Sequence, residues 1–353
     1  MVAEPLKRLA RSTLAALAVG TRVWRAVPQG AAVVLRYHRV GADAPLSVSA
    51  EEFEGQLRFL RSHCRVVPAG ELVTCLRKGK PLPPRAAAIT FDDGYEDNFT
   101  QAVPLLQRYC LPATFFVTTG WIDTEKVLWW DRLHDYVEQG AREGARAVGL
   151  DELPGPVAQP LAPLAGWREG RPWPARLAVE LERKLSLAIR SLGLTPEETD
   201  AVVEQVGSAL GAGEADPQRY RPMTWDQVRS LLALGMEIGS HTLSHALLAR
   251  VKPERAHQEL VESKKRLRAE LDAPVALFAY PAGDHSDDAI ELVEEAGYLG
   301  AFTTTSGPIK AGDNPLALKR VGVWHGGYRG VFAPFSASVF GLQVGRLARR
   351  DEA

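Results

Sequence analysis

Cysteine is scarce in this chain: there are three, Cys64, Cys75 and Cys110, and no CxxC pair among them. An odd, scattered count excludes a disulfide framework and a thiolate zinc site, and leaves buried reduced thiols as the expectation. An excess of one charge is also missing. Lys and Arg total 42 against 43 Asp and Glu, a formal net charge of −1. Nucleic-acid binding needs a strongly basic face, so no nucleic-acid partner is expected. The N-terminal stretch LKRLARSTLAALAVG is apolar only in short pieces, broken by Ser12 and Thr13, and falls far short of the ~20 residues that span a bilayer. It reads as a basic amphipathic helix, packed on the body or lying on a membrane surface, and not as a secretory signal. The segment from Val331 to Arg350 has the same apolar-then-basic character. No internal repeat or low-complexity run is present.

What the chain does have is an ordinary globular balance, 46% hydrophobic and 24% charged. From residue 31, short β-like runs alternate with helical stretches. AAVVLRYH, AAAITF (86–91), ATFFVT, MEIGS (236–240), VALFAY (275–280), AFTTT (301–305) and LKRVGV (318–323) read as strands. Helices are expected over about 99–109, 253–271 and 287–296. Ser49 with Glu52, Thr195 with Glu198 and Thr224 with Gln227 have capping-box spacing, so each predicts a helix start. The alternation is interrupted over 124–221, where Leu181, Leu185, Ala188 and Leu192 recur at helical spacing, and that block reads as a mostly helical insertion. Trp129, Trp130, Trp167 and Trp173 are expected to pack its core, with an aromatic platform for sugar rings as the alternative. Strands spaced by helices argue for parallel βα units, and strand count alone leaves barrel and open sheet both available.

Polar residues gather at three strand ends. AAAITF runs into Asp92-Asp93-Gly94, MEIGS into His241-Thr-Leu-Ser-His245, and VALFAY into Pro281-Ala282-Gly283. Adjacent carboxylates repel, and burial disfavours their ionisation, unless a cation relieves one of them. Two histidines four apart can share one side of a helical turn. With one carboxylate they form a two-His-one-carboxylate set with positions left for water and substrate, the arrangement that metal-assisted hydrolysis requires.

TFDDGY (90–95) and HTLSH (241–245) resemble the first two signature motifs of the polysaccharide deacetylase family, also called NodB-homology or carbohydrate esterase family 4, and FAYPAG (278–283) looks like a variant of its third. The resemblance covers roughly 31–123 and 222–325, which with the insertion, an N-terminal segment 1–30 and a C-terminal segment 326–353 divides the chain. It implies a distorted, TIM-like (β/α) barrel of seven or eight strands. It implies Asp92 as general base and Asp93, His241 and His245 as ligands of a divalent metal, zinc foremost, with cobalt or nickel also accepted. Tyr95, Tyr280, Pro281, Ala282 and Arg320 are expected to line the substrate site. The family's third motif usually carries an arginine that orients the base; Ala279 stands there, and Arg320 is the expected substitute. The usual general-acid motif is missing, which leaves His38 and His325, with His285 behind them. The implied reaction is removal of an N-acetyl group from an N-acetylglucosamine-like glycan. O-acetyl hydrolysis, cyclic-amide opening and glycan binding without turnover are the alternatives. The cytoplasm, or the inner face of a membrane, is the expected location.

Overall fold

Ala86–Phe91 is buried at every position, as a strand covered on both faces must be, and it lies inside the sheet. Ala31–Tyr37 pairs parallel along its whole length, from Ala32 opposite Ala86 to Tyr37 opposite Phe91. On the other edge follow Thr114–Val117, Glu237–Ser240, Leu277–Ala279 and Gly300–Phe302, each parallel to its predecessor. The next segment links the last strand to the first: Leu318 pairs with Phe302, and Val321–Gly322 pairs with Leu35 and Arg36. The sheet thus curls into the expected distorted (β/α) barrel. Two short strands, Arg65–Val66 and Ile309–Lys310, extend its lower end, the second antiparallel to Ala31–Ala32. The computed structural model describes residues 30–324 apart from 43 and 45, together with 336, 337 and 339–341. The amphipathic segment expected before residue 30, and most of the C-terminal one, lie outside these residues. Among the described residues no helix is long and apolar enough to cross a membrane.

Helix starts follow local chemistry. Ser49 Oγ accepts from the Glu52 N–H, and Glu52 Oε2 accepts from the Ser49 N–H, both at 3.1 Å, ahead of helix Ala50–His63. That helix buries Phe53, Leu57 and Leu60 completely, each worth about 1.5–3 kcal/mol relative to exposure. Capping boxes at Thr195 and Thr224 open helices Pro196–Ala209 and Trp225–Ala233 in the same way. The helix expected over 99–109 departs from the α form at its start. Asn98–Ala102 is a π-helical turn, and the α-helix proper is Val103–Arg108.

Thr124–Arg221, with Arg250–Lys252, forms a separate unit. Its main helices, Trp129–Glu143, Gly155–Leu161, Ala175–Ser191 and Pro196–Ala209, bury Leu133, Val137, Leu181, Leu185, Ile189 and Val203 among themselves. Gly207 permits one close helix crossing, since a Cβ there would lie 2.7 Å from the Tyr136 ring. Trp173 is 5% exposed and donates its Nε1–H to Ala145 O, while Trp129 and Trp167 pack against the same core.

Candidate active site

The strand register sets the site. Phe91, Ser240 and Ala279 are the last paired residues of their strands, so Asp92, His241 and Tyr280 emerge together at the carboxyl end, where such barrels place their chemistry. Asp92 N–H still donates to Tyr37 O at 3.0 Å; then the chain turns through two left-handed residues, Asp93 (φ 75°) and Gly94 (φ 104°). Glycine suits the second position, because φ 104° is strained for any residue with a Cβ, and a Cβ there would also crowd Ile122 Cδ1 at 2.9 Å.

Asp92 is 2% exposed and Arg320 0%. The guanidinium meets the carboxylate fork to fork, Nη1 to Oδ1 at 2.6 Å and Nη2 to Oδ2 at 2.7 Å. Arg320 is itself fixed: Nε donates to Thr303 O at 2.9 Å, and Nη1 also donates to Thr90 Oγ1 at 3.2 Å. Burial pulls the Asp92 carboxyl upward, but the Arg320 charge and hydrogen bonds, with His241 and His38 nearby, hold it well below the usual carboxylate range. Asp92 is therefore ionised at neutral pH. The arginine lies 228 positions from Asp92 in sequence, and it is the residue expected to stand in for the arginine absent at Ala279.

Asp93 is in a different state. It is 3% exposed, and its Oδ1 lies 3.4 Å from His241 Nε2 and 3.5 Å from His245 Nε2. Burial pushes its carboxyl up; the His241 hydrogen bond and the charges of His38, His245 and His241 bring it below its ordinary value. His241 Nδ1 sits 2.7 Å from Ala279 O. A carbonyl only accepts, so Nδ1 carries a proton and Nε2 is left facing Asp93. One ligand atom from each of the three residues lies within 4.8 Å of the others. Tetrahedral zinc, with bonds of ~2.0–2.2 Å, separates neighbouring donor atoms by about 3.4 Å, so the two measured gaps fit such an ion. The donor set, two imidazoles and a carboxylate, equally suits cobalt or nickel.

Several placements differ from expectation. HTLSH is an irregular loop and not a helical turn: Thr242 (φ 67°) and His245 (φ 61°) are left-handed, and these turns bring the second imidazole back to Asp93. Tyr95 and Tyr280 were expected to meet substrate, yet they are 1% and 0% exposed. Tyr95 packs edge-on to Trp121 under the Arg39 guanidinium, and the Tyr280 hydroxyl donates to Leu316 O at 2.9 Å, so both are wall residues. Pro281 is buried as well, while Ala282 beside it is partly exposed and left-handed (φ 53°). His38 directly follows the first strand, where burial lowers its pKa to about 4 against the raising effect of Asp93. His285 Nδ1 lies 2.8 Å from Gly283 O. His325 lies outside the described residues.

Sequence reasoning missed two supports directly after the first motif. Asp97 accepts from Arg39 Nε at 2.7 Å and Val40 N–H at 3.1 Å, and Asn98 Nδ2 donates to His38 O at 2.7 Å. Together they clamp the His38 segment. Their only signal was position, EDN immediately following TFDDGY.

A family profile described as polysaccharide deacetylase matches residues 79–155 and 202–301. The chain is 20% identical over 312 residues to YxkH of Bacillus subtilis, covering 88% of this chain and 75% of that one. It is 32% identical over 134 residues to a poly-beta-1,6-N-acetyl-D-glucosamine N-deacetylase of Escherichia coli, 36% of this chain and 20% of the relative, so it spans about a fifth of that protein's length. Its fold is similar to that of IcaB from Ammonifex degensii, with a TM-score of 0.54 and 19% identity over 91% of this chain and 97% of the other.

Proposed function

This chain belongs to the polysaccharide deacetylase family, and from that premise we propose that it is a metal-dependent de-N-acetylase of N-acetylglucosamine-containing glycans. The observation that carries the reading is one pair of neighbouring acids in two states. Asp92 is locked by Arg320, while Asp93 faces two imidazoles across gaps of 3.4 and 3.5 Å. Asp93, His241 and His245 would hold the metal, which supplies acidification of a water and polarisation of the acetyl carbonyl.

The remaining work falls to the chain itself. Arg320 keeps Asp92 ionised and oriented, each carboxylate oxygen retaining a lone pair beyond the one Arg320 uses. Asp92 takes a proton from the attacking water as its oxygen bonds to the acetyl carbon. The Ala282 N–H is assigned to the developing oxyanion. His38 is neutral at pH 7, because burial lowers its pKa to about 4, and charge building on the adduct raises its basicity. The proton that Asp92 took from the water is relayed through His38 to the sugar nitrogen as the C–N bond breaks, which leaves both residues as they began; His325 is the other residue assigned this step by sequence. Acetate and a free amino sugar leave. The glycan is the partner this reading requires, and the similarity to a poly-beta-1,6-N-acetyl-D-glucosamine N-deacetylase makes a β-1,6-linked oligomer the first substrate to try.

The test is acetate release from N-acetylglucosamine oligomers by zinc- or cobalt-loaded protein, beside Asp92→Asn. Release by wild type alone supports the reaction and the base together. Equal release by Asp92→Asn removes Asp92 from that role, and release only from O-acetylated sugars replaces the amide with an ester.

A further inference from the structure

The loop that carries both histidines has a backbone that does not hold itself. Thr242 and His245 lie at φ 67° and 61°, a region that a β-branched residue such as threonine avoids. Such a conformation persists only where the surroundings over-determine it. Two donors hold the loop by its carbonyls: Thr119 N–H to Thr242 O at 3.1 Å and Gly120 N–H to Leu243 O at 2.7 Å. A Cβ at position 120 would lie 2.5 Å from that Leu243 oxygen, so the approach needs glycine.

Two of the loop's N–H groups go to a single side chain. Leu243 N–H and Ser244 N–H donate to Glu259 Oε2 at 3.0 and 2.8 Å, and Ser244 Oγ donates to Oε1 at 2.6 Å. Glu259 belongs to helix Pro253–Leu271 and is 0% exposed. One turn earlier on that helix, Arg255 Nε donates to Oε1 at 2.9 Å and offsets the charge. A fully buried carboxylate therefore spends three of its bonds on the two residues immediately before His245.

We propose that Glu259 is a positioning residue that sets the metal affinity of the site by fixing the two-histidine loop, an inference that rests on the metal-site reading above. Without its acceptor the loop has two half-buried N–H groups to satisfy elsewhere. The left-handed turns then relax, and His245 Nε2 leaves its place 3.5 Å from Asp93 Oδ1.

A half-buried carboxylate provides the control. Glu237, at the other end of its strand from His241, accepts from Thr114 Oγ1 at 2.7 Å and Gly70 N–H at 3.0 Å. Its chemistry is the same, but it holds no part of the loop. The experiment measures zinc affinity of the full chain by competition with a chromophoric chelator, and the thermal midpoint of the metal-free protein, for wild type, Glu259→Gln and Glu237→Gln. Glutamine keeps the shape but turns an amide NH2 toward donors. The expected result is a zinc affinity weakened roughly 10–100-fold in Glu259→Gln and unchanged in Glu237→Gln, with both midpoints lowered. Wild-type affinity in Glu259→Gln overturns the proposal, and so does an equal loss in both variants, which would mark a general effect of stability. If Glu259→Gln does not fold, Ser244→Ala, which removes one of the three bonds, decides: weakened zinc binding supports the proposal and unchanged binding overturns it. Failure of wild type to bind zinc would sink the metal-site reading itself, and Glu259 with it.

Discussion

In the insertion, carboxylates from buried to exposed are matched with cations or phenols. Asp135 accepts from Arg219 Nη1 at 2.9 Å and from the Tyr220 hydroxyl at 3.0 Å; Arg132 pairs with both Asp200 and Glu204; His134 Nδ1 lies 2.9 Å from Glu182. At the carboxyl end of strand Ala86–Phe91, Asp92 is treated this way, by Arg320. Asp93 beside it is as deeply buried and faces two imidazoles, one of which has its Nδ1 proton committed to a carbonyl. Charge that serves stability is cancelled on the spot. On the proposed metal-site reading, charge arranged for a ligand is left short of a cation, with its donor atoms spaced for one.

The largest effect that would break this contrast is on turnover. Asp92→Asn and Asp93→Ala should each lower acetate release by roughly 10³-fold or more, as losses from a catalytic unit do, whereas Arg132→Ala in the insertion leaves it near wild type. A drop of less than about tenfold in either acid variant, measured at saturating glycan, would dissolve the distinction. Next in size is Arg320→Ala, which strands a buried carboxylate and should cost about 3–5 kcal/mol in denaturant unfolding as well as activity. Arg320→Lys should not restore activity, since an ammonium cannot make the paired contact. An Arg320→Ala protein as stable as wild type would contradict the pairing.

How much of this was legible beforehand follows from sequence distance. Asp92 with Asp93, and His241 with His245, are local patterns, and each follows a short β-like run, so both could be read directly. The placement of Arg320 depends on the link between Phe302, Leu318 and the first strand, which no local pattern encodes. The left-handed turns at Thr242 and His245 run against residue preference, since tertiary hydrogen bonds impose them; helical spacing therefore misread that loop. Tyr95 and Tyr280 look like site residues because they adjoin motifs, yet they are consumed by packing.

Smaller effects sharpen the comparison. Leu185→Ala in the insertion core should cost about 2–5 kcal/mol of that unit's stability without moving zinc affinity. A loss of zinc binding there would show that the two regions are not independent. The histidines of the two regions should also differ in sign. His38 has its folded pKa lowered to about 4 from 6.5, so the unfolded chain takes up a proton that the folded one refuses; stability is full above 6.5 and falls as pH drops toward 4. For His134 burial pulls the pKa down, but the Glu182 hydrogen bond and charge raise it overall. Its contribution is full below the unfolded value and is lost as pH rises through the folded one. Denaturant midpoints across that range for His38→Asn and His134→Asn should flatten opposite limbs of the curve; the same limb for both would be a contradiction. Smallest of all, Arg132→Ala, whose partners are more than half exposed, should cost no more than about 1 kcal/mol.

The most direct test of the central claim, that neighbouring acids divide ligand and base between them, is the number of divalent ions bound per chain in wild type, Asp92→Asn and Asp93→Ala. The account predicts one ion in wild type, one in Asp92→Asn and none in Asp93→Ala. A full ion retained by Asp93→Ala, or lost from a folded Asp92→Asn, would contradict it.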